Sequence, residues 1–148
     1  MAAKDAKAVV RRYFEEAQQS AVLIDELFSQ DFVFRYEDSP LALGDAEMKH
    51  LVGVTVYDPP DPGRIQLKTL SRLLYTAFPD WRYTIEDLFA ERDKVAIRLT
   101  GSGTHRGEGF HAVPTGQRVT VAGLAIIRLS GGKIVESWQV WGKPNVPE

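Results

Sequence analysis

The sequence predicts an α+β domain in which helices cover one face of an antiparallel sheet, and three observations support this expectation. Helical periodicity is confined to the part of the chain before residue 79. Most of the remaining chain consists of β-branched and aromatic runs separated by short turns. The chain has 148 residues, 44% apolar and 26% charged, which suits a single domain over 1–148 with a sizeable core. Helices followed by a run of strands are typical of this class.

Three helices are predicted from apolar residues that recur at helical spacing. The stripe of the first helix consists of Val10, Tyr13, Phe14 and Ala17. The second helix begins after Ser20, whose hydroxyl can accept a hydrogen bond from the first turn. The third runs from about residue 65 to 78 and ends before Pro79, because a residue that precedes proline is pushed out of the helical region.

Strands are predicted at 32–36 and in two later hairpins, 81–89 with 95–103 and 119–129 with 134–141. In the last hairpin, Gly131 and Gly132 suit a two-residue primed turn. That turn places Glu136 opposite Ile127, and Trp138 on the same face, which we expect to cover the helices. The opposite face would carry Leu124, Ile126, Val135 and Trp141. This face is too apolar for solvent, so we expect a homodimer through the sheet.

Composition excludes several classes of function. The net charge is −2, so a nucleic-acid footprint is absent, and no apolar run is long enough for a membrane span. The chain has no cysteine, and its three histidines form no metal-binding pair, so neither a metal nor another cofactor is expected. The N-terminal segment reads as a helix and not as a signal peptide, which favours a cytoplasmic protein.

Residues 40–63 are rich in proline and glycine, yet they contain many apolar side chains. Such a segment is too apolar to lie free in water. It is therefore expected to act as a flap over a pocket.

Several motifs carry a family resemblance. They are Phe78-Pro79-Asp80-Trp81, Gly103-Thr104-His105-Arg106-Gly107, Pro114-Thr115-Gly116 and Glu136-Ser137-Trp138. Their succession resembles the SnoaL-like polyketide cyclases of the NTF2-like superfamily, and the resemblance extends over roughly residues 8–141. It implies a conical fold, three N-terminal helices packed in a curved antiparallel sheet, with a deep apolar pocket. It also implies cofactor-independent acid/base chemistry on a small hydrophobic, polyketide-like ligand.

Two positions depart from this family pattern. The cyclases usually carry an acidic residue four positions after the tryptophan of the last motif, where this chain has Gly142. The early strand reads Phe34-Arg35-Tyr36 where the cyclases tend to have Asn or His. Two hypotheses therefore stand: a cyclase, isomerase or hydrolase, or a non-catalytic domain that binds a small molecule.

Three residues are candidates for acid/base catalysis. Glu136 is the single ionisable group on its predicted face, where burial would raise its pKa; alternatively it lies near the sheet rim or pairs with an arginine. His105 has the best intrinsic pKa for a general base, or it bonds the backbone of its glycine-flanked loop. Asp38 could point into the pocket mouth, or it forms the turn before Pro40.

Four further residues are candidates for substrate binding. Tyr13 is either a core residue or a hydroxyl donor, and Tyr36 shares strand parity with Asp38. Trp138 would form a wall of the pocket or fill the core. Arg98 is either a cation in the pocket or the cross-strand partner of Asp87.

Overall fold

The computed structural model describes residues 3–17, 20–36, 62–108, 115–142 and 144–145. The predicted flap at 40–63 lies almost wholly outside the described residues. The elements are α1 (Ala3–Arg12), a π-helical turn (Tyr13–Ala17), α2 (Ala21–Leu27), β1 (Phe28–Tyr36), α3 (Pro62–Ala77), β2 (Arg82–Glu91), β3 (Lys94–Thr104), β4 (Arg118–Ser130) and β5 (Lys133–Trp141). None of the helices in these ranges is long and apolar enough to cross a membrane.

The five strands form one curved sheet in the order β1-β5-β4-β3-β2. Its concave face covers the apolar sides of the helices, and the two together form the core. Neighbouring strands are antiparallel except β1, which runs parallel to β5 at the edge. The predicted antiparallel sheet is therefore found over β2 to β5, and β1 adds a parallel strand at its edge. The chain leaves β1 and passes through α3 before it enters β2, so β1 is joined to the sheet by a crossover and not by a hairpin.

Local sequence accounts for how the first two helices begin and end. Arg11 and Arg12 lie in the last turn of α1, where positive charge complements the helix dipole. The following π-helical turn inserts an extra residue, and both Tyr13 and Phe14 are buried. Ser20 caps α2 as predicted, since its Oγ accepts from Leu23 N at 3.2 Å.

The last hairpin keeps its predicted turn but not its predicted register. Gly131 has φ 57° and Gly132 has φ 82°, as a primed turn requires, and Leu129 lies opposite Ile134. A β-bulge then follows, after which Glu136 pairs with Arg128 instead of Ile127. A shift of one residue turns every later side chain to the other face of the sheet.

Two tryptophans pack over glycines of the concave face, and one of them, Trp141, accounts for the bulged register of the last hairpin. In the observed register Trp141 lies opposite Gly123, and a Cβ built on that glycine would be 2.4 Å from the indole. Trp81 packs in the same way over Gly101, where a Cβ would be 2.3 Å from its ring. Glycines inside strands thus make room for large aromatic side chains on the concave face.

Candidate functional site

A narrow cavity, too tight as it stands to admit a water molecule, lies between the concave face of the sheet and the helices. Its apolar wall consists of Phe28, Phe32, Phe34, Leu67, Ile127 and Ile134. Three polar side chains complete the lining: Tyr13 from the π-helical turn, and Ser137 and Gln139 from the inner face of β5. This combination of an apolar wall and a few polar groups is typical of small-molecule sites, but such sites are larger, so a ligand would have to widen the cavity.

The polar groups on β5 form a continuous chain of hydrogen bonds. The Trp141 indole Nε1 donates to Gln139 Oε1 at 2.9 Å, and Gln139 Nε2 donates to Ser137 Oγ at 3.1 Å. An indole nitrogen can only donate, so it fixes which end of the amide is oxygen. Because the Ser137 Oγ accepts from the amide, its hydrogen points elsewhere, and it has no acceptor in the described ranges.

Burial makes this arrangement energetically significant. Ser137 is 3% exposed and Gln139 is 8% exposed. An unsatisfied buried polar group costs about 1–3 kcal/mol, so the chain of bonds stabilises the amide and fixes its orientation. The hydroxyl of Ser137 is thereby held in the lining of the cavity, and the oxygen of a ligand that widened the cavity could accept from it.

Tyr13 is a core residue, which is one of the two alternatives that the sequence left open; its role as a hydroxyl donor stays a prediction. Its ring is a core residue, with edge-on contacts to Phe14 at 4.7 Å and to Phe28 at 4.8 Å between ring centroids. The same residue lines the cavity. Placement at the first residue of a π-helical turn is notable because such turns occur frequently at functional sites.

A second aromatic group, at Tyr83, continues the concave face beyond Trp141. Its ring lies 5.8 Å from that of Trp141 and 5.9 Å from that of Trp81. Burial raises the pKa of the Tyr83 hydroxyl above its usual range, despite an opposing effect of the nearby Trp81 indole. The Trp81 Nε1 itself is buried and has no hydrogen-bond acceptor among the described residues. Tyr83 therefore stays protonated and can act only as a neutral hydroxyl.

A larger, more open pocket of about 450 Å³ lies between α2 and α3. Ile24 of α2 forms part of its lining. Polar side chains from one face of α3 form the other side: Lys68, Ser71, Arg72, Tyr75 and Thr76. Their spacing of three and four residues follows from the helical repeat.

Three predicted site residues lie on the outer, convex face instead. Glu136 faces Arg128, with 4.0 Å between Oε2 and Nη2, so it is the arginine-paired alternative that the structure contains. Trp138 is 49% exposed, because the bulge turns it away from the core. The Arg98 Nε lies 2.6 Å from Asp87 Oδ2, which is the predicted cross-strand pair. The expectation that these side chains face the pocket is wrong.

His105 is buried directly after β3 and is not among the described residues that line either cavity. Its ring stacks on Phe78 with 5.1 Å between centroids, and Nδ1 lies 3.4 Å from Thr115 Oγ1. Its backbone N–H donates to Gln117 O, and its carbonyl accepts from Gly116 N. These contacts are those of the structural alternative, a histidine that holds its loop.

The remaining candidates can be followed only in part. Asp38 lies outside the described residues. The backbone of Tyr36 pairs with Gln139, which is its register position at the edge of the sheet. Gly142 donates its N–H to Ala122 O, and a Cβ at Gly142 would meet only that oxygen, at 3.5 Å. There is room for a side chain at Gly142, so packing does not demand the glycine.

No Asp or Glu side chain in the described ranges belongs to the concave interior. Each is exposed or, at Asp87 and Glu136, pairs with an arginine on the outer face. These ranges also contain no group of three His, Cys, Asp or Glu side chains that could hold a metal ion. The interior offers tyrosine and serine hydroxyls and an amide, which donate hydrogen bonds but are weak bases at neutral pH.

Comparison with known proteins identifies the family of the chain. A family model described as SnoaL-like polyketide cyclase matches residues 54–145. The chain belongs to the SnoaL-like polyketide cyclase family. The predicted family and the predicted NTF2-like fold are thus confirmed. No curated protein matches the chain.

Solved structures share the fold over nearly the full length. AclR of Streptomyces galilaeus, a proposed hydroxylase, is 29% identical with a TM-score of 0.68, over 95% of this chain and 90% of that one. IdmH of Streptomyces antibioticus, a proposed polyketide cyclase, is 23% identical with a TM-score of 0.68, over 92% and 91%. An LEH-like epoxide hydrolase of M. tuberculosis is 14% identical with a TM-score of 0.59, over 94% and 84%.

Within this SnoaL-like cone, sequence reasoning missed Ser137, Gln139 and Trp141 as interior residues. The two-residue turn predicts an unbulged register, in which Ser137 and Gln139 face outward. One signal in the sequence could have identified them. Gly123 in the middle of an apolar strand indicates a close approach by a large neighbour, and Trp141 is the residue of β5 that fits it.

Proposed function

We propose that this SnoaL-like protein is a cofactor-independent enzyme that carries out cyclisation or isomerisation of a small hydrophobic, polyketide-like ketone. The observation that carries the proposal is the hydroxyl of Ser137, which lines the apolar cavity and accepts from the Gln139 amide, so that its own hydrogen is available to a ligand. Proton removal next to a carbonyl places negative charge on the carbonyl oxygen. A fixed donor in a water-poor site stabilises that charge more than it stabilises the neutral ketone.

The proposed step needs a base, and the candidate is Asp38. It follows β1, whose last residue pairs with Gln139 of the hydrogen-bonded chain. The carboxylate would take the proton, and the electron pair would move to the carbonyl oxygen, which accepts from Ser137. The resulting carbon nucleophile would attack a second carbonyl of the same substrate in a cyclase, or be reprotonated at another carbon in an isomerase.

Hydrogen–deuterium exchange into a model ketone tests this proposal without knowledge of the natural substrate. The probe is α-tetralone in D₂O, with exchange at C2 followed by NMR. We expect the protein to accelerate exchange above buffer, and Ser137→Ala to lower the accelerated rate by roughly a hundredfold, as for loss of an oxyanion donor. Ser130→Ala removes an exposed serine at the far end of β4 and is the matched control. Equal rates in buffer, wild type and Ser137→Ala would refute the proposal.

A non-catalytic binding function is the second candidate. It is favoured by the lack of a carboxylate among the described concave-face residues and by Gly142 in the position of the family's acid. The same assay separates the two functions. A protein that binds α-tetralone, seen as shifts of interior amide resonances, but does not accelerate its exchange is a binding domain.

We also propose that the protein forms a homodimer through the outer face of the sheet. One apolar row crosses four strands there, because Phe89 pairs with Ala96, Ala96 with Ile126, and Ile126 with Trp138. The three large side chains in this row are about half exposed or more. An exposed contiguous row of this kind is typical of a protein interface.

A further inference from the structure

We infer that the pocket between α2 and α3 is a binding site for an organic monoanion, a carboxylate carried on an apolar body. The pocket has about 450 Å³, which is the size of a small-molecule site. It is lined by residues other than those of the narrow cavity, and the inference is independent of the catalytic proposal.

Arg72 is the group that would bind the anion, because the other cation of the pocket already has an acidic partner. Two cations line the pocket, but Lys68 is already paired: its Nζ lies 2.6 Å from Asp25 Oδ1. This contact also holds the pKa of Asp25 below its ordinary value, so the pair stays ionised. Arg72 makes no ion pair or side-chain hydrogen bond with the part of the chain that the structure describes. The positive charge of Arg72 thus has no acidic partner among the described residues, and a ligand with one negative charge would balance it.

The remaining lining residues suit the rest of such a ligand. Ser71 is buried beside Arg72, and its hydroxyl has no hydrogen-bond partner in the described ranges. A carboxylate that accepts from the guanidinium could accept from this hydroxyl as well. Ala21 and the ring of Tyr75 supply apolar surface for the body of the ligand. None of the described lining residues is acidic, so nothing in that set opposes an anion.

The helical repeat of α3 and the ion pair with Asp25 explain why the two cationic side chains lie along the pocket. Lys68, Arg72 and Thr76 follow one another at intervals of four along α3, so they share one face. Thr76 Oγ1 donates to the backbone carbonyl of Arg72 at 2.7 Å, so this hydroxyl does not bind the guanidinium. Arg72 itself lines the pocket. Asp25 of α2 draws Lys68 towards the opposite wall.

A matched pair of ligands tests the inference directly. The probes are 2-naphthoate and its neutral isostere 2-naphthamide, titrated by isothermal calorimetry and by amide NMR. We expect wild type to bind the naphthoate at least tenfold more tightly, with shifts centred on Ser71 to Thr76. Arg72→Gln should remove the preference, and Ser71→Ala should reduce it. Arg82→Gln, which changes an exposed arginine at the start of β2, should leave it intact.

Several outcomes would overturn the inference. They are equal affinity for the two probes, a preference that survives in Arg72→Gln, and the absence of saturable naphthoate binding. Shifts confined to Ser137 and its neighbours would also contradict it, because the anion would then occupy the narrow cavity. Melting curves of each variant show whether it is folded. Loss of the exchange activity proposed above does not bear on these outcomes, since the binding assay requires no turnover.

Discussion

Replacement of Gly123 by alanine tests the packing on which the interior of the cone depends. A Cβ at this position would lie 2.4 Å from Trp141 Cε3 and 2.6 Å from Cδ2. Favourable carbon–carbon contacts begin at about 3.5 Å, so the indole would have to retreat by about 1.1 Å. Its Nε1 is 2.9 Å from Gln139 Oε1, and a retreat of that size breaks the hydrogen bond.

The expected loss of stability follows from these two effects. Overpacking costs about 1–3 kcal/mol, and a stranded buried amide oxygen costs about 1–3 kcal/mol more. The lower entropy of the unfolded alanine chain offsets about 0.4–1 kcal/mol. We therefore expect Gly123→Ala to lower the free energy of unfolding by about 3 kcal/mol. For a chain of this length, that corresponds to a fall in Tm of about 6–12 °C.

The assay is urea unfolding followed by tryptophan fluorescence, together with a thermal melt. Gly142→Ala is the matched control, because its Cβ would meet only Ala122 O at 3.5 Å, and it should change stability by less than about 0.5 kcal/mol. Trp141→Leu in the Gly123→Ala background should relieve the clash and give a coupling energy of about 1–3 kcal/mol. Equal stability of the two alanine variants would refute the packing of Trp141 over Gly123 and, with it, the bulged register.

Three further predictions concern the periphery of the site. Asp80 accepts from Thr104 N at 2.7 Å and from Thr104 Oγ1 at 2.9 Å, and these bonds hold the pKa of Asp80 below its ordinary value. The stability that they contribute is present above about pH 4 and is lost as the pH falls through the lowered pKa. Asp80→Asn should therefore lower the free energy of unfolding by about 1 kcal/mol at pH 7, and by progressively less in melts at acid pH. Glu136→Gln should change the free energy of unfolding by less than about 1 kcal/mol and leave the rate of deuterium exchange into α-tetralone unaltered, because the side chain faces Arg128 on the outer face. A tenfold slower exchange in this variant would restore the catalytic assignment of Glu136. Ile126→Lys should convert a dimer seen in sedimentation into a monomer, and a monomeric wild type at tens of micromolar would count against the interface.

Much of the fold was readable from local sequence because its causes are local. Ser20 caps α2 with its own side chain, Pro79 stops α3 by steric exclusion, and the Gly131-Gly132 pair adopts the positive φ angles of its turn. The pairing of Asp87 with Arg98 was equally predictable, because a two-residue turn counts outward along both strands. The motifs from Phe78 to Trp138 identified the family.

The interior of the site depended on one event that local rules do not specify. A single bulged residue after Ile134 exchanges the two faces of β5: Glu136 and Trp138 turn outward, and Ser137 and Gln139 turn inward. Both faces of this strand are partly apolar, so hydrophobic alternation favours neither register. The sequence by itself determined the elements, the turns and the family. Only the tertiary structure decided which side chains line the cavity, because the choice follows from the fit of the Trp141 indole over Gly123 on the neighbouring strand.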